Sequence, residues 1–314
     1  MKKVLITGGS GFIGSALRKT LAQARTPVIN LDLKIPDSTA RTETTIVGDI
    51  RRADDIESIL EQNPEIDTVV HLAAIVSVPE CENHPAETAK TNIIGTQNII
   101  TALEGFNARH RRTPQNQALL LFASSAAVYG NQGQAGKALA EDTPSKPLSH
   151  YAEHKLAGET MLRASKLPWA ALRLFNVYGL GQDPVSPYSG VITRFQDRLN
   201  QNQNLLLNAG GIQTRDFVSV HDVAAAFLVA ASRPSAVARG KPPIFNVGTG
   251  QSVTIRALAD LMRAVHPGTT STDEIAPPRA SDVLYSCADI RQIHALLGWS
   301  PRVKLKDGLA ALHR

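Results

Sequence analysis

A short apolar run that stops at a glycine-rich turn and passes into an amphipathic helix constrains this chain more than any other feature. Val4-Leu5-Ile6-Thr7 is ended by Gly8, and glycines recur at Gly11 and Gly14. Helical spacing follows over 12–23, with Phe12, Ile13, Ala16, Leu17 and Leu21 on one side. An apolar run of this kind reads as a strand buried on both faces, hence part of a parallel sheet. In the turn, Gly8 allows the tight reversal, Gly11 the close approach of a pyrophosphate, and Gly14 the close packing of helix on strand. The pattern then repeats. Val28-Ile29-Asn30-Leu31 ends at Asp32, Ile46-Val47 precedes Asp49, and Thr68-Val69-Val70 ends at His71. Leu119-Leu120-Leu121-Phe122 runs into Ser124 and Ser125, and Ala170-Ala171-Leu172-Arg173-Leu174 is a sixth strand. Helices are expected at 53–62, about 85–104 and 150–165. This alternation predicts an α/β fold built on a doubly wound parallel sheet. Ligands of such sheets bind outside the carboxyl ends of the strands, which is where these polar residues fall.

After residue 175 the pattern changes. Residues 179–190 are rich in Gly, Pro and Ser and read as a loop. Helices are expected near 190–201, 221–231, 254–265 and 289–297, with short strands between. The organisation expected is a nucleotide-binding domain over 1–175, to which 217–246 returns, and a smaller C-terminal α/β substrate domain over 176–216 and 247–314. A hydrophobic content of 43% with 19% charged residues excludes a disordered chain. Aromatic residues make up only 5%, too few for a base-stacking surface, so no nucleic-acid partner is expected. Arg109-His110-Arg111-Arg112 supplies much of the net charge of +5 and reads as a solvated loop. The two cysteines, Cys81 and Cys287, lack metal-ligand spacing, so no metal and a reducing compartment are expected. With no run of eighteen apolar residues, a soluble cytoplasmic chain without a membrane partner is expected.

Tyr151 and Lys155 stand four residues apart, one turn along the same helix face. An ammonium near a phenol favours the phenolate and lowers the tyrosine pKa. A phenolate in reach of a substrate hydroxyl can act as general base. With Ser125 upstream, the set describes a carbonyl/alcohol redox site beside a dinucleotide. Asp32, at the end of the second strand, would accept from the adenosine ribose hydroxyls and repel a 2′-phosphate, which favours NAD over NADP. Asp49 has two readings: an acceptor for the adenine amino group with Ile50 against the ring, or a cap for the following helix.

Further motifs run in order through the chain: TGGSGFIG at 7–14, GDI at 48–50, HLAA at 71–74, TNIIGTQN at 91–98, SSAAVYG at 124–130 and YAEHK at 151–155. RLFNVYG at 173–179, QTRDFVSVHDV at 213–223, FNVGTG at 245–250 and PPRASDVLYSCADI at 277–290 complete the series. Over nearly its whole length the chain resembles the extended short-chain dehydrogenase/reductase family, in particular its nucleotide-sugar epimerases and dehydratases. The resemblance implies a Rossmann-type sheet, tightly held NAD and a nucleoside-diphosphate sugar in the C-terminal domain. It implies Tyr151 as general base, Lys155 holding the nicotinamide ribose, and Ser125 at the reacting oxygen. Gly8, Gly11, Phe12, Ile13, Gly14, Asp32, Asp49, Ile50, Leu72, Ala73, Ala74 and Asn92 join Tyr151 and Lys155 in the implied cofactor set. The implied substrate set is Ser125, Asn176, Val191, Arg215, Arg279, Asp282 and Ser286. The two arginines would clamp the diphosphate, a task suited to their planar forks. The family also implies a homodimer, formed through the helices at about 85–104 and 150–165.

Within the family, dehydratases place Asp-Glu directly after the catalytic Thr, and decarboxylases place a Glu at the second of these positions. Here they are Ala126 and Ala127, which move no proton. Oxidation and reduction at one carbon remain, so the resemblance is nearest to UDP-sugar 4-epimerases. The small Ser286, where a Tyr goes with plain hexoses, implies room for UDP-GlcNAc and UDP-GalNAc beside UDP-Glc and UDP-Gal. Two positions depart from the pattern: Asn208-Ala209 replace an aromatic and a glycine, and Cys81 replaces a Ser. The loop at 182–190 resembles that of epimerases acting on N-acetylated or uronic sugars, so a uronate epimerase using Ser186, Ser189 or Arg194 stays open. So does a nucleotide-sugar 4-ketoreductase with dissociable cofactor. The intact Ser125, Tyr151 and Lys155 argue against a regulatory NAD-binding protein. Asn176, Arg215 and Arg279 argue against a steroid-type dehydrogenase.

Overall fold

The computed structural model describes residues 1–36, 39–182, 190–240, 242–278 and 282–312. Strand β1 (Lys3–Thr7) leads through the glycine turn into helix α1 (Phe12–Gln23), followed by β2 (Val28–Asp32), β3 (Glu43–Val47), α2 (Ala53–Gln62) and β4 (Ile66–His71). Two short helices, α3 (Val78–Asn83) and α4 (Pro85–Ala89), precede one π-helical turn (Lys90–Ile94) and α5 (Gly95–Arg109). Then come β5 (Leu119–Ser125), a 3-10 turn (Ala126–Tyr129), α6 (His150–Ala164) and β6 (Trp169–Leu174). The second half contains β7 (Asn176–Tyr178), α7 (Val191–Asn200), β8 (Leu205–Asn208), β9 (Thr214–Ser219), α8 (Val220–Ser232), α9 (Pro234–Val237) and β10 (Ile244–Val247). It closes with β11 (Ser252–Thr254), α10 (Ile255–Ala264), β12 (Asp273–Ala276), α11 (Arg291–Leu297) and α12 (Leu305–Ala311).

Seven strands of the described residues form the expected doubly wound parallel sheet, in the order β10-β6-β5-β4-β1-β2-β3. Strand alternation sorts the core into two layers. Val4 and Ile6 pack with Leu17 and Leu21 of α1 and Phe227 of α8, whereas Leu5 packs with Ile56 of α2 and Leu103 and Phe106 of α5. Burying each such aliphatic side chain contributes about 1.5–3 kcal/mol. Strand β3 is longer than its apolar Ile46-Val47 suggested. It is the edge strand and only half-buried, and Glu43 fastens it to α1 by accepting from Arg18 Nε at 2.7 Å. The helix expected over about 85–104 reaches Arg109 and is interrupted by the π-helical turn, which widens one turn of the spiral. The basic stretch is partly tethered rather than solvated throughout. Arg109 pairs with Glu61 at 2.6 Å, and Arg112 lies 4.5 Å from the Phe106 ring centroid while donating to the Pro64 carbonyl.

Beyond β6 the chain builds a smaller lobe. Strands β7, β9 and β11 form a mixed sheet and β8 pairs with β12, around a core that includes Phe195, Leu205, Leu207, Phe217, Leu258 and Met262. The chain then returns: α8 packs against α1, and β10 pairs with β6 at the sheet's far edge. Residues 284–289 stitch the lobes together. Thr214 N donates to the Leu284 carbonyl, Leu139 N to that of Cys287, and Asp289 N to that of Leu139, at 2.8, 2.8 and 2.9 Å.

Candidate active site

Strand order reverses between β1 and β4, and their carboxyl ends part there to leave a crevice. Gly8 has φ +75°, and a Cβ on it would lie 2.6 Å from Ala73 N. A Cβ on Gly14 would lie 2.4 Å from the Gly8 carbonyl oxygen, so α1 starts hard against the turn. Gly11 precedes α1 without a side-chain cap, which leaves the first N–H groups of the helix free for an anion. At the rim, Asp32 Oδ2 accepts from Ser10 N at 2.8 Å and Oδ1 from Lys34 N at 3.3 Å. Asp49 does not cap α2, whose cap position is Arg52 with no side-chain bond. It is bound by Arg51 instead, through Nε at 2.7 Å and the backbone N at 2.9 Å, and this bonding holds its carboxyl below the usual range.

A cavity of about 590 Å³ runs along this crevice. Its walls include Gly8, Gly11, Phe12, Ile13, Gly14, Asp32, Asp49, Ile50, Leu72, Ala73 and Ala74, together with Ser125, Tyr151 and Lys155. The volume is within the range of cofactor sites. An uncapped helix N-terminus for phosphates, a carboxylate for ribose hydroxyls and apolar walls for flat rings make a donor set that fits NAD. Gln182, the first residue of the loop at 182–190, also lines the cavity, and it accepts from Thr193 Oγ1 at 2.9 Å.

The reacting groups converge at the far end. Ser125 is the last residue of β5, and its Oγ accepts from Ala127 N at 3.1 Å. Tyr151 stands in the first turn of α6, which Ser149 caps by accepting from Ala152 N. Tyr151 and Ser125 line the same cavity, and hydrogen bonding by Ser125 acts to lower the pKa of the phenol. Lys155 Nζ lies 5.0 Å from the Phe122 ring centroid and 5.9 Å from that of Tyr151. The spacing of Tyr151 and Lys155 led to an expectation of a lowered tyrosine pKa, and the structure corrects it. Burial pushes the phenol up to about 12, against which the Ser125 bond pulls down. The same burial brings the Lys155 ammonium down to about 8. Desolvation disfavours the charged form of each.

Behind the wall, His71 links the ends of β1 and β4 to the long helix. Thr96 Oγ1 donates to the Asn92 carbonyl at 2.7 Å, so His71 Nε2 donates to Thr96 Oγ1 at 3.0 Å and Nδ1 accepts from Thr7 Oγ1 at 2.7 Å. Burial lowers the His71 pKa to about 3, which keeps the ring neutral. Asn92, expected among the cofactor contacts, does not line the cavity. Its Oδ1 accepts from Ile75 N at 2.8 Å, and its Nδ2 donates to the Ile75 carbonyl at 2.9 Å, bracing a residue that does.

The described residues of the implied substrate set other than Ser125 (Asn176, Val191, Arg215, Asp282 and Ser286) are not among the residues that line this cavity. Arg215, on β9, donates through Nη1 to the Val283 carbonyl at 2.6 Å and through Nη2 to Asp282 Oδ1 at 3.3 Å. Asp282 Oδ2 accepts from Gln213 Nε2 at 2.9 Å. Asn176 is exposed at the start of β7, and Val191 opens α7. Ser286 is 8% exposed, its backbone N donating to Thr214 Oγ1 at 3.4 Å. Arg279, and Ser186 and Ser189 in the preceding loop, lie outside the described residues. Among the described residues, no group of His, Cys, Asp or Glu is placed to hold a metal ion.

The model of the NAD dependent epimerase/dehydratase family matches residues 4–248. The dTDP-L-rhamnose 4-epimerase of Burkholderia thailandensis is 30% identical, over 99% of this chain and 94% of its own length. The crystal structure of the UDP-glucose 4-epimerase of Thermotoga maritima with UDP-glucose superposes with a TM-score of 0.87 at 30% identity, covering 99% of this chain and 97% of that one. The UDP-N-acetylglucosamine 4-epimerase of Methanobrevibacter ruminantium, in complex with UDP-N-acetylmuramic acid, does so with a TM-score of 0.85 at 29% identity, covering 99% and 96%.

Proposed function

The chain belongs to the NAD dependent epimerase/dehydratase family, and on that footing we propose that it inverts C4 of a UDP-sugar, with Ser125, Tyr151 and Lys155 as its catalytic set. The observation that carries this reading is the convergence of Ser125, Tyr151 and Lys155 with the glycine turn and Asp32 in one cavity, while Ala126 and Ala127 follow Ser125. Elimination or decarboxylation needs an acid or base at those two positions, and alanine supplies neither.

NAD, when bound, supplies an acceptor for the C4 hydride that gives it back. Tyr151 takes the C4 hydroxyl proton as the C–H bond breaks, and Ser125 holds the C4 oxygen through the change from hydroxyl to carbonyl. Lys155, buried one turn along, would lend its positive charge to the phenolate that this step requires, against the desolvation that raises the Tyr151 pKa. The 4-keto sugar turns about its link to the diphosphate and presents its other face. Tyr151 then returns the proton as the hydride returns, so no net redox change occurs. Arg215 and Arg279 hold the diphosphate during this rotation.

UDP-Glc/UDP-Gal and UDP-GlcNAc/UDP-GalNAc are the proposed pairs, the second because Ser286 is small. Ser286→Tyr should then remove activity on the acetylated pair and spare the plain one; equal survival of both would sink this pocket argument. Nucleotide-sugar relatives with both UDP and dTDP support a diphosphate site, and Asn208 at the end of β8 leaves the base to be tested directly. The decisive experiment incubates the protein, without added cofactor, with UDP-Glc, UDP-GlcNAc, UDP-GlcA and dTDP-Glc separately and resolves the C4 epimers by chromatography. Epimers of the plain or acetylated UDP-sugars are expected. Epimers of UDP-GlcA alone would replace this reading with a uronate epimerase.

We also propose a homodimer through the outer faces of α5 and α6, supported by Ile94, which is 51% exposed beside α5. Ile94→Glu should give a monomer by sedimentation if that face is the interface. A cytoplasmic location is proposed on the two free cysteines; no helix of the described residues is long and apolar enough to cross a membrane.

A further inference from the structure

Tyr151, Lys155 and Glu159 occupy three successive turns on one face of α6, but only the first two meet the cavity. Glu159 is 0% exposed and Arg173, on β6, 1%. The guanidinium forks the carboxylate, Nε donating to Oε1 at 2.9 Å and Nη2 to Oε2 at 2.8 Å. Ser124 Oγ donates to the same Oε1 at 2.6 Å. Ser124 and Arg173 are cross-strand partners in the β5–β6 register, so one carboxylate from the catalytic helix gathers both strands beneath it.

The other side of Arg173 reaches the turn after Ser125. Its guanidinium carbon lies 4.6 Å from the Tyr129 ring centroid, and the Tyr129 hydroxyl donates to Asn246 Oδ1 at 2.7 Å. Ser125 is therefore bracketed. The residue before it is bound to Glu159, and the turn that follows it rests on Arg173. The helix cannot drift along this contact either. A Cβ on Gly158 would lie 2.5 Å from the Phe122 ring, so α6 sits directly on β5 where Lys155 Nζ faces that same ring.

We propose that Glu159 and Arg173 are positioning residues for the reaction, setting the spacing of Ser125 against Tyr151 and Lys155 by holding β5 and α6 together from below. The inference rests on the 4-epimerase reading for its kinetic readout, but its structural readout does not. A buried ion pair replaced by apolar residues of similar volume often leaves stability unchanged, which separates positioning from simple support. The experiment therefore compares the wild type with Glu159→Leu combined with Arg173→Met, and with Ser124→Ala as the variant least able to unfold the chain.

At unchanged melting temperature, the double variant should lose about 10- to 100-fold in kcat and Ser124→Ala about 3- to 10-fold. KM for the UDP-sugar should stay the same in both. Because the Ser125 bond holds the Tyr151 pKa down, the rising limb of kcat against pH should move to higher pH, as in Ser125→Ala. Amides at 126–130 should exchange hydrogen faster while those of β1 do not. If both folded variants keep wild-type kcat, pH limb and exchange at 126–130, the pair is only a support and the inference is overturned. Should the double variant unfold, the same outcomes for Ser124→Ala decide. A wild type without turnover on any UDP-sugar refutes the functional reading alone, and the exchange comparison still tests the bracket.

Discussion

The sheet floor around Tyr151 and the small lobe around Arg215 handle their charged groups in opposite ways. In the floor, Ser125, Tyr151 and Lys155 already face one cavity, and the ion pair behind them is closed by its own partners. In the small lobe, Arg215 is bound to Asp282 and to the Val283 carbonyl of its own lobe. Under the proposed function a diphosphate exchanges those bonds for its own, so the proposed chemistry is preassembled and the proposed recognition is reached by replacement. Changes in the floor should therefore appear in kcat and changes in the lobe in KM.

The largest expected effect tests the first half of that statement. Tyr151→Phe should lower kcat by about 10²- to 10⁴-fold with NAD still bound, measured as retained nicotinamide absorbance after gel filtration. Retained epimerisation would break the assignment. Arg215→Met comes next. Losing a charge-assisted bond of about 1.5–3 kcal/mol should raise KM for the UDP-sugar by about 10- to 100-fold while kcat changes little. A fall in kcat with KM unchanged would erase the contrast between the regions.

Acid should then pull the two regions apart. His71 has a folded pKa of about 3 against a reference of 6.5, so its contribution to stability is present above the reference value. It is lost as pH falls from there toward the folded value, at about 1.4 kcal/mol per pH unit. Unfolding titrations from pH 7 to pH 4 should show this slope in the wild type and a shallower one in His71→Asn. The smallest effect has the opposite sign. Asp216 is buried and accepts from Thr249 N, Thr249 Oγ1, Gly250 N and Ala288 N, and burial raises its pKa above the usual value. Its contribution is present at low pH and is lost as pH rises through the folded pKa. Asp216→Asn should make the amides of 249–250 less sensitive to pH in hydrogen-exchange free energies, without affecting β1.

The glycine turn, the six strands from Val4 to Leu174 and the Tyr151–Lys155 face were legible because each is written in local spacing. Strand β3 was half-hidden because an edge strand keeps polar residues such as Glu43 and Thr45. The π-helical turn was invisible because periodicity assumes a constant pitch, yet it carries Asn92, which braces Ile75. Glu159 and Arg173 were missed as site residues although each left a trace. Glu159 continues the four-residue series of Tyr151 and Lys155, and Arg173 is the one charge in the otherwise apolar strand Trp169–Leu174. What no local pattern held was their meeting, which depends on the β5–β6 register.

Strand β10 supplies the outer neighbour of β6, yet sixty-nine residues of chain separate Leu174 from Ile244, and the small lobe's β7, α7, β8 and β9 are made in the interval. During synthesis the ribosome releases β6 with one row of amide and carbonyl groups unpaired, and α1 uncovered until α8 follows. A nascent chain in this state has an open strand edge that can pair with a second copy. The sheet of the first half is finished by a strand that the second half must deliver.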